Sequence, residues 1–321
     1  MQSFIISEKE KGRRLDVFLK EKLPEFSRIM IQKAIKESCV LVNKEPKKPR
    51  YILKEKDQII ARIRKAQEPA LIPQKLDIPI IFENNDYLVI NKPAGIAAHP
   101  SATNRTNTVV NWLLDKYPGI KTVYEKHIKN TEKNENKLRP GIVHRLDKDT
   151  SGLMIIAKNK KTLRYFKKLF QERRIIKKYI ALVYGTLKHD KGIIDMPIAR
   201  SKRDPTRQKA VSKKHDHLKT KSAITHYRIL KRFKDFTLIE VTPKTGRMHQ
   251  IRVHFTAIGH PVAGDKKYGF IKKNKYRHPP RQFLHAHFLK FSSPNGRSKI
   301  IKVSIPQDIK EFLQEIAKVR F

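Results

Sequence analysis

The chain has 321 residues, of which 39% are apolar, so it is long enough to bury a full-sized core, and we expect one large and one small domain. Lys and Arg number 72 against 30 Asp and Glu, and the resulting formal charge of +42 is spread over every region of the chain. Because such an excess repels itself unless an anion offsets it, the expected partner is a polyanion, and nucleic acid is favoured over a merely solvated basic surface.

Other classes of protein find little support in the sequence. No run of roughly 18 apolar residues is present, and the stretch 1–14 alternates charges where a signal peptide would have an apolar centre. The single cysteine, Cys39, can form neither an internal disulfide nor a cysteine-based zinc site. We therefore expect a cytoplasmic protein with no membrane segment and no evident obligate protein partner.

The N-terminal segment has the pattern of a small independent domain. Apolar residues at helical spacing predict a short helix within 13–23, and Ser27 is a suitable N-cap for a second one. Strand-like stretches follow at 40–42 and 57–63. We predict a domain over 1–63, a linker over 64–76, and a large domain over 77–321.

The large domain alternates strand-like and helical patterns, which is typical of a mixed α/β (α+β) fold. Strands are predicted at 87–90, 153–157 and 179–183. The stretches 224–230 and 236–241 form a predicted β-hairpin, so at least part of the central sheet should be antiparallel. Helices are predicted from the apolar stripes Leu163, Phe166, Leu169 and Phe170, and Ile309, Phe312, Leu313 and Ile316.

Two polar insertions, 126–137 and 202–220, lack apolar periodicity and are rich in charged or amide side chains. We predict that both are surface loops. The second is dense in Lys and Arg, and it either follows an RNA backbone or is simply solvated.

The most informative run is HRLDKDTSGLM at 144–154, a polar turn that leads into an apolar strand. By pattern alone it fits a catalytic cluster, half of a metal site or an ordinary charged loop, and the loop is favoured. Four histidines could complete a metal site, but such spacings recur by accident in a chain with 13 histidines, so no metal is expected; they are His249, His254, His285 and His287. No glycine motif for ATP or a dinucleotide is present, and we expect no cofactor.

The same run resembles the active-site signature of the RluA/RluD family of pseudouridine synthases. Three further segments resemble other family motifs in the same order: IFENNDYLVINKPAG at 81–95, IKKYIALV at 176–183, and TGRMHQIRVH at 245–254 with its continuation GHPVAGDKKYG at 259–269. The resemblance spans about residues 77–310. Met248, where the family more often has Thr or Ser, and the basic stretch 202–220 depart from the pattern outside the expected reacting groups.

The resemblance implies the pseudouridine synthase fold, with a largely antiparallel central sheet flanked by helices and loops, and it implies site residues. Asp147 would be the catalytic carboxylate, and an adjacent guanidinium, expected from Arg247, would keep it ionised. Tyr179 would lie against the target base, with a possible proton-transfer role. Arg145 would fill the space that the flipped base vacates, for which a planar guanidinium is suited.

The N-terminal domain resembles the S4 RNA-binding domain over residues 12–63. The resemblance rests on Arg14-Leu15-Asp16, on Ser27-Arg28, and on the run VLVNK at 40–44. It implies that helix N-termini and adjoining basic side chains contact RNA phosphates, and Arg28 is the best single candidate.

These resemblances predict an RNA pseudouridine synthase that acts on structured RNA, with 23S ribosomal RNA favoured as substrate and tRNA as an alternative. A different class of hypothesis is a non-catalytic RNA-binding factor in ribosome assembly. A third, metal-dependent RNA cleavage, rests only on the histidine count. No short motif encodes the choice of uridine, because RNA is recognised through contacts distributed over a surface.

Overall fold

The structure is a computed structural model that describes residues 1–63, 71–101, 104–124, 139–201, 203–204, 206–212, 220–269 and 278–318. The described residues fall into two compact units, 1–63 and the remainder from Leu71 onwards. Part of the predicted linker, 64–70, and all of the predicted loop 126–137 lie outside the described residues. Within the described residues, no helix combines the length and apolarity needed to cross a bilayer.

The N-terminal unit consists of two helices and a small antiparallel sheet. The predicted helices are α1 (Leu15–Lys22) and α2 (Arg28–Lys36), and the Ser27 side chain caps the second by accepting the Met30 N–H. The sheet has the order β1-β4-β2-β3, with β1 (Gln2–Ile5), β2 (Val40–Val42), β3 (Glu45–Pro46) and β4 (Gln58–Ala61). Strand β1 was not predicted, because its four residues are mostly exposed and show no apolar alternation.

The second unit is built on a nine-stranded sheet of order β5-β6-β7-β14-β8-β13-β12-β9, with β15 also paired to β14. Its strands are β5 (Ile80–Glu83), β6 (Tyr87–Lys92), β7 (Ser151–Ala157), β8 (Ile176–Tyr184), β9 (Lys191–Asp195), β12 (Ile224–Arg232), β13 (Phe236–Pro243), β14 (Leu284–Ser292) and β15 (Ser298–Lys302). All pairs are antiparallel except β7 with β14. The predicted mixed fold with a largely antiparallel sheet is therefore confirmed.

The parallel pair β7–β14 depends on Gly152. This residue has φ +119°, and a Cβ there would lie 2.3 Å from the Ala286 carbonyl oxygen. Because Ala286 is also paired with Tyr179 on β8, the start of β7 and the middle of β8 lie on either side of one residue of β14. This close approach brings the polar turn before β7 next to β8.

The described part of this unit has four α-helices, namely α3 (Val109–Lys116), α4 (Lys160–Gln171), α5 (Gln250–Ala257) and α6 (Gln307–Ala317). The predicted apolar stripe of α4 is buried against the half of the sheet that contains β6 and β7, and that of α6 packs on β8 and β13. A separate cluster lies between α5 and strands β8 and β13. The helix α5 thus begins beside the strand that carries Tyr179.

The sequence predicted that the basic insertion 202–220 is a surface loop, but part of it forms a strand. Its residues Gln208–Ala210 form strand β11, which pairs antiparallel with β10 (Ile198–Arg200) in a two-stranded sheet. Three residues of alternating character are too few to give a recognisable strand pattern. The strand forms because its backbone is hydrogen-bonded to β10. The portion 213–219 lies outside the described residues.

Candidate active site

A cavity of about 540 Å³ lies where the turn before β7, the middle of β8 and the start of α5 meet. Its lining includes Asp147, Tyr179, Arg247 and Arg145, the four candidates that the sequence predicted for the large domain. Its volume lies within the range of about 300–1,000 Å³ that holds a small ligand. Residues far apart in the chain are therefore brought to one concave site of a size that accepts a nucleoside.

The carboxylate of Asp147 is paired with Arg252 of α5. One guanidinium nitrogen of Arg252 lies 2.7 Å from Oδ2 of Asp147, and the rest of the group forms a two-pronged contact with Asp265 at 2.6 and 2.8 Å. Burial opposes the charge of Arg252, but the hydrogen bonds and charges of Asp265 and Asp147 together raise its pKa. A permanently charged guanidinium, fixed by a buried carboxylate, is thus held against Asp147.

The predicted pairing of Asp147 with Arg247 is not formed, and Arg252 takes that place. Arg247 instead donates from Nε to the Ser222 carbonyl at 3.0 Å. It lies in the turn before α5, and the Gln250 side chain holds this turn by accepting the Arg247 backbone N–H. Arg252 lies inside the helix and therefore faces Asp147, whereas the turn directs Arg247 elsewhere along the cavity wall.

His249 is the second neighbour of Asp147. Its Nε2 lies 3.8 Å from Oδ1 of Asp147, and its Nδ1 lies 2.8 Å from the hydroxyl of Tyr268. Burial lowers the pKa of His249 despite the charge of Asp147, so the ring is neutral near pH 7. The Tyr268 hydroxyl accepts the Gln208 N–H and can donate its own proton to Nδ1, which leaves the ring proton on Nε2, towards the carboxylate.

Tyr179 lies on the cavity side of β8. Burial and the charge of Asp147 raise the pKa of its phenol, which therefore stays protonated. Lys177, two residues earlier, faces the same cavity, and its ammonium lies 5.7 Å from the centre of the Phe170 ring. Burial lowers the pKa of Lys177 to about 8. The strand thus offers the cavity an aromatic face and a basic group side by side.

Arg145 is exposed and lines both this cavity and a second one of about 490 Å³ on the other side of Asp147. The second cavity is also lined by Arg207, Lys266 and Lys267. The surroundings are strongly basic and therefore favour a polyanionic ligand that extends past the cavity.

Lys92 and His144 hold the polar turn in place; sequence reasoning gave no role to Lys92, and for His144 it considered only the shaping of this turn. The buried ammonium of Lys92 donates to the carbonyls of Pro93, Ile96 and Lys148 at 2.7, 2.7 and 3.0 Å. Nε2 of His144 accepts the N–H of Ile155 at 2.9 Å, so this side chain is committed to the backbone. The Lys–Pro pair that ends strand β6 was the available signal for Lys92.

In the N-terminal unit, Arg28 lies beside a buried carboxylate. Asp16 is fully buried and accepts hydrogen bonds from Arg14, Arg28 and Gln32 at 2.6–3.2 Å. Burial alone would raise the pKa of Asp16, but these hydrogen bonds lower it. The Arg28 side chain is still 52% exposed at the start of α2, so one carboxylate orients two cations at the surface.

Among the described residues, no group of three or more His, Cys, Asp or Glu side chains is placed to hold a metal ion. The histidines considered for such a site have other contacts. His254, for example, interacts through its two ring nitrogens with Thr225 and with the Met196 carbonyl.

Comparison with known proteins agrees with the two resemblances. The family model described as RNA pseudouridylate synthase matches residues 86–257, and the model of the S4 domain matches residues 13–59. An uncharacterised RNA pseudouridine synthase of Bacillus subtilis is 36% identical over 97% of this chain and 97% of its own length. The ribosomal large subunit pseudouridine synthase D of an Escherichia coli strain is 36% identical over 96% of this chain and 92% of its own.

A solved structure, that of the human RNA pseudouridylate synthase domain containing 1, is similar in fold, with a TM-score of 0.56 and 23% identity over 76% of this chain and 96% of that one. The predicted family and the predicted S4 domain are both confirmed. The chain belongs to the RNA pseudouridylate synthase family, and it is an RNA pseudouridine synthase with an S4 domain at its N-terminus.

Proposed function

We propose that this enzyme converts uridine to pseudouridine in large-subunit ribosomal RNA, with Asp147 as the catalytic carboxylate. The reaction breaks the C1′–N1 bond and joins C1′ to C5, while the proton leaves C5 and N1 gains one. Atoms and electrons balance without an oxidant or a reductant. The chemistry needs a carboxylate beside the sugar and a site that keeps hold of the detached base.

The single observation that supports this role is the placement of Asp147 in a cavity, with one oxygen bound and the other open. Oδ2 is bound by Arg252, while Oδ1 has only the ring of His249, at 3.8 Å, among the described neighbours. Oδ1 therefore has lone pairs that are available to the substrate. It can add to the nucleoside or remove a sugar proton, and either route uses the same oxygen.

Tyr179 and Arg145 have complementary tasks in this proposal. The protonated Tyr179 ring stacks against the uracil after the nucleotide flips into the cavity, and its hydroxyl lies on the route of the C5 proton. The exposed Arg145 fills the gap left in the RNA stack. Flipping costs a few kcal/mol, which these contacts and the basic surroundings offset. Arg247 contacts RNA along the cavity wall and has no covalent role.

The decisive experiment measures tritium release from C5 of [5-³H]uridine in precursor RNA. Asp147→Asn should reduce release by at least about 10⁴-fold and leave RNA affinity within a few-fold of the wild type. Asn has nearly the same shape as Asp, and its amide oxygen can still accept a hydrogen bond from Arg252. A loss of tritium release at unchanged RNA affinity would therefore not be explained by weaker RNA binding. An active Asn variant would refute the role of Asp147 and favour a binding function in ribosome assembly.

The proposal of ribosomal RNA as substrate is supported by the name of the Escherichia coli relative and by its similarity over nearly the full length of both chains. A cytoplasmic enzyme follows from that substrate. Chemical derivatisation of pseudouridines in cells that lack the gene would identify the target uridines. If the missing pseudouridines were in tRNA, the ribosomal assignment would be wrong while the chemistry would stand.

A further inference from the structure

The side of the sheet opposite the cavity carries a basic surface that the proposed reaction does not use. Strand β8 alternates, so Lys177 and Tyr179 face the cavity, and Ile176 and Lys178 face the other side. Through the pairing of β8 with β14 and of β14 with β15, residues of the two other strands project on the same side as Ile176 and Lys178. We call it the rear face and define it by Ile176, Lys178, Phe288, Lys290, Ile300 and Lys302.

The rear face consists of two rows that cross three strands. In one row Lys290 of β14 lies between Ile176 and Ile300; in the other Phe288 lies between Lys178 and Lys302. Directly paired residues of antiparallel strands project on the same side of a sheet. The ammonium groups of Lys178 and Lys302 lie 5.3 and 5.8 Å from the Phe288 ring centre, so the ring supports both cations.

Neighbouring residues fix the charge of this surface. Glu240 is nearly buried and lies 3.1 Å from Lys178, 2.8 Å from Arg228 and 3.4 Å from His287. The hydrogen bonds and charges of Arg228 and Lys178 lower the pKa of Glu240 to about 2 against the effect of its burial, so Glu240 stays ionised. Within the described part of the chain, no carboxylate forms an ion pair with Lys290 or Lys302. Lys178 is thus paired with Glu240, whereas the positive charges of Lys290 and Lys302 have no carboxylate partner among the described residues.

We propose that the rear face is a second RNA-docking surface, which binds the phosphate backbone of substrate RNA remote from the target uridine. Charge complementarity favours this occupant, because lysines without carboxylate partners suit phosphates and are depleted in the centres of protein interfaces. The half-exposed Ile176 and Ile300, 44% and 55% exposed, separate the cations and can contact sugars. The proposal rests on the proposed reaction only in that the bound RNA is the substrate.

A large folded RNA reaches both sides of the sheet, whereas a short stem-loop held in the cavity reaches only one. The combined variant Lys178→Gln, Lys290→Gln and Lys302→Gln should therefore lower the affinity for a long precursor ribosomal RNA transcript by about 10- to 100-fold near 0.2 M salt. The slope of log affinity against log salt should become shallower by about two to three. Tritium release from a short stem-loop around the mapped uridine should stay within two-fold of the wild type.

Two matched variants complete the experiment. Replacing Lys160, Lys161 and Arg164 of α4 by Gln removes the same charge from another exposed surface and should leave the salt slope nearly unchanged. Replacing the three rear-face lysines by Arg keeps their charge and should retain long-RNA binding, and a thermal melt checks folding.

The outcomes separate the two proposals. An unchanged slope in the rear-face Gln variant, or an equal loss in the α4 variant, would overturn rear-face docking. Wild-type protein with no release from either RNA would instead refute the proposed reaction. Equal losses on the long transcript and the short stem-loop would assign the effect to the cavity and also overturn the proposal.

Discussion

Asp16 and Asp147 are both paired with arginines, and they differ in how fully their oxygens are used. Asp16 in the N-terminal unit is fully buried and accepts from Arg14, Arg28 and Gln32. Asp147 is 19% exposed and receives one hydrogen bond, from Arg252. The same guanidinium also binds Asp265. A saturated carboxylate orients cations, whereas a half-satisfied one in a cavity is available to a substrate.

The two aspartates lie in the same local triplet, Arg-Leu-Asp, at 14–16 and at 145–147. In the first triplet the arginine folds back on its own aspartate, with Nε and a terminal nitrogen both 3.0 Å from the carboxylate. In the second triplet Arg145 lies exposed at the cavity, and a distant helix supplies the partner of Asp147. The local sequence is thus compatible with opposite uses.

The largest expected effect comes from removing the Arg252 guanidinium that is bound to Asp147. Arg252→Gln should reduce kcat by about 10²- to 10³-fold, because a fixed positive charge is lost and two carboxylates are left facing each other. Arg247→Gln, the matched control on the same cavity wall, should mainly raise KM. Single-turnover tritium release at saturating RNA separates the two. A larger loss of kcat in the Arg247 variant would restore the pairing expected from sequence.

Asp265 acts through Arg252 and is a positioning residue. Asp265→Asn should reduce kcat by about 10- to 100-fold and change KM little, since the guanidinium loses the charged contact that aims it. Asp265→Glu should restore part of kcat if charge matters more than reach. A fall in kcat that is accompanied by a lower melting temperature, and that Glu does not rescue, would indicate a purely structural role.

For the saturated aspartate, the expected effect is on stability and not on catalysis. Asp16→Ala removes the acceptor of three side chains and should destabilise the N-terminal unit by about 2 kcal/mol. Hydrogen exchange of amides within 1–63 measures this loss. RNA affinity should fall with it, while kcat at saturating RNA stays unchanged. A fall in kcat would contradict the distinction between the two aspartates.

The smallest predicted effect is a loss of stability of the N-terminal unit at low pH. Hydrogen bonds hold the pKa of Asp16 below its value in the unfolded chain, about 3.9, so the native state binds fewer protons there. The stabilisation is complete above that value and is lost as pH falls through the native pKa. Amides of β1 and β4 should therefore exchange faster, relative to the intrinsic rate, as the pH falls below about 4, and less so in Asp16→Asn.

Much of the fold and part of the site followed from sequence patterns. The stripes of α4 and α6 and the β12–β13 hairpin depend on side chains at regular spacing, and they were found within a few residues. Strand β11 was missed because its three residues owe their order to pairing with β10. The partner of Asp147 was assigned to Arg247, because the choice between two arginines of one motif depends on where the helix begins.

The sequence by itself determined the family, the S4 domain, the mixed α/β class and the candidate residues that meet at the cavity, because these are recorded in motifs and in the periodicity of apolar side chains. Only the tertiary structure decided that Arg252 faces Asp147, that Asp265 and Lys92 support the site, and that three lysines form the rear face. The physical reason is that these contacts join residues distant in the chain. Their geometry depends on strand register and on the start of a helix, which no local pattern encodes.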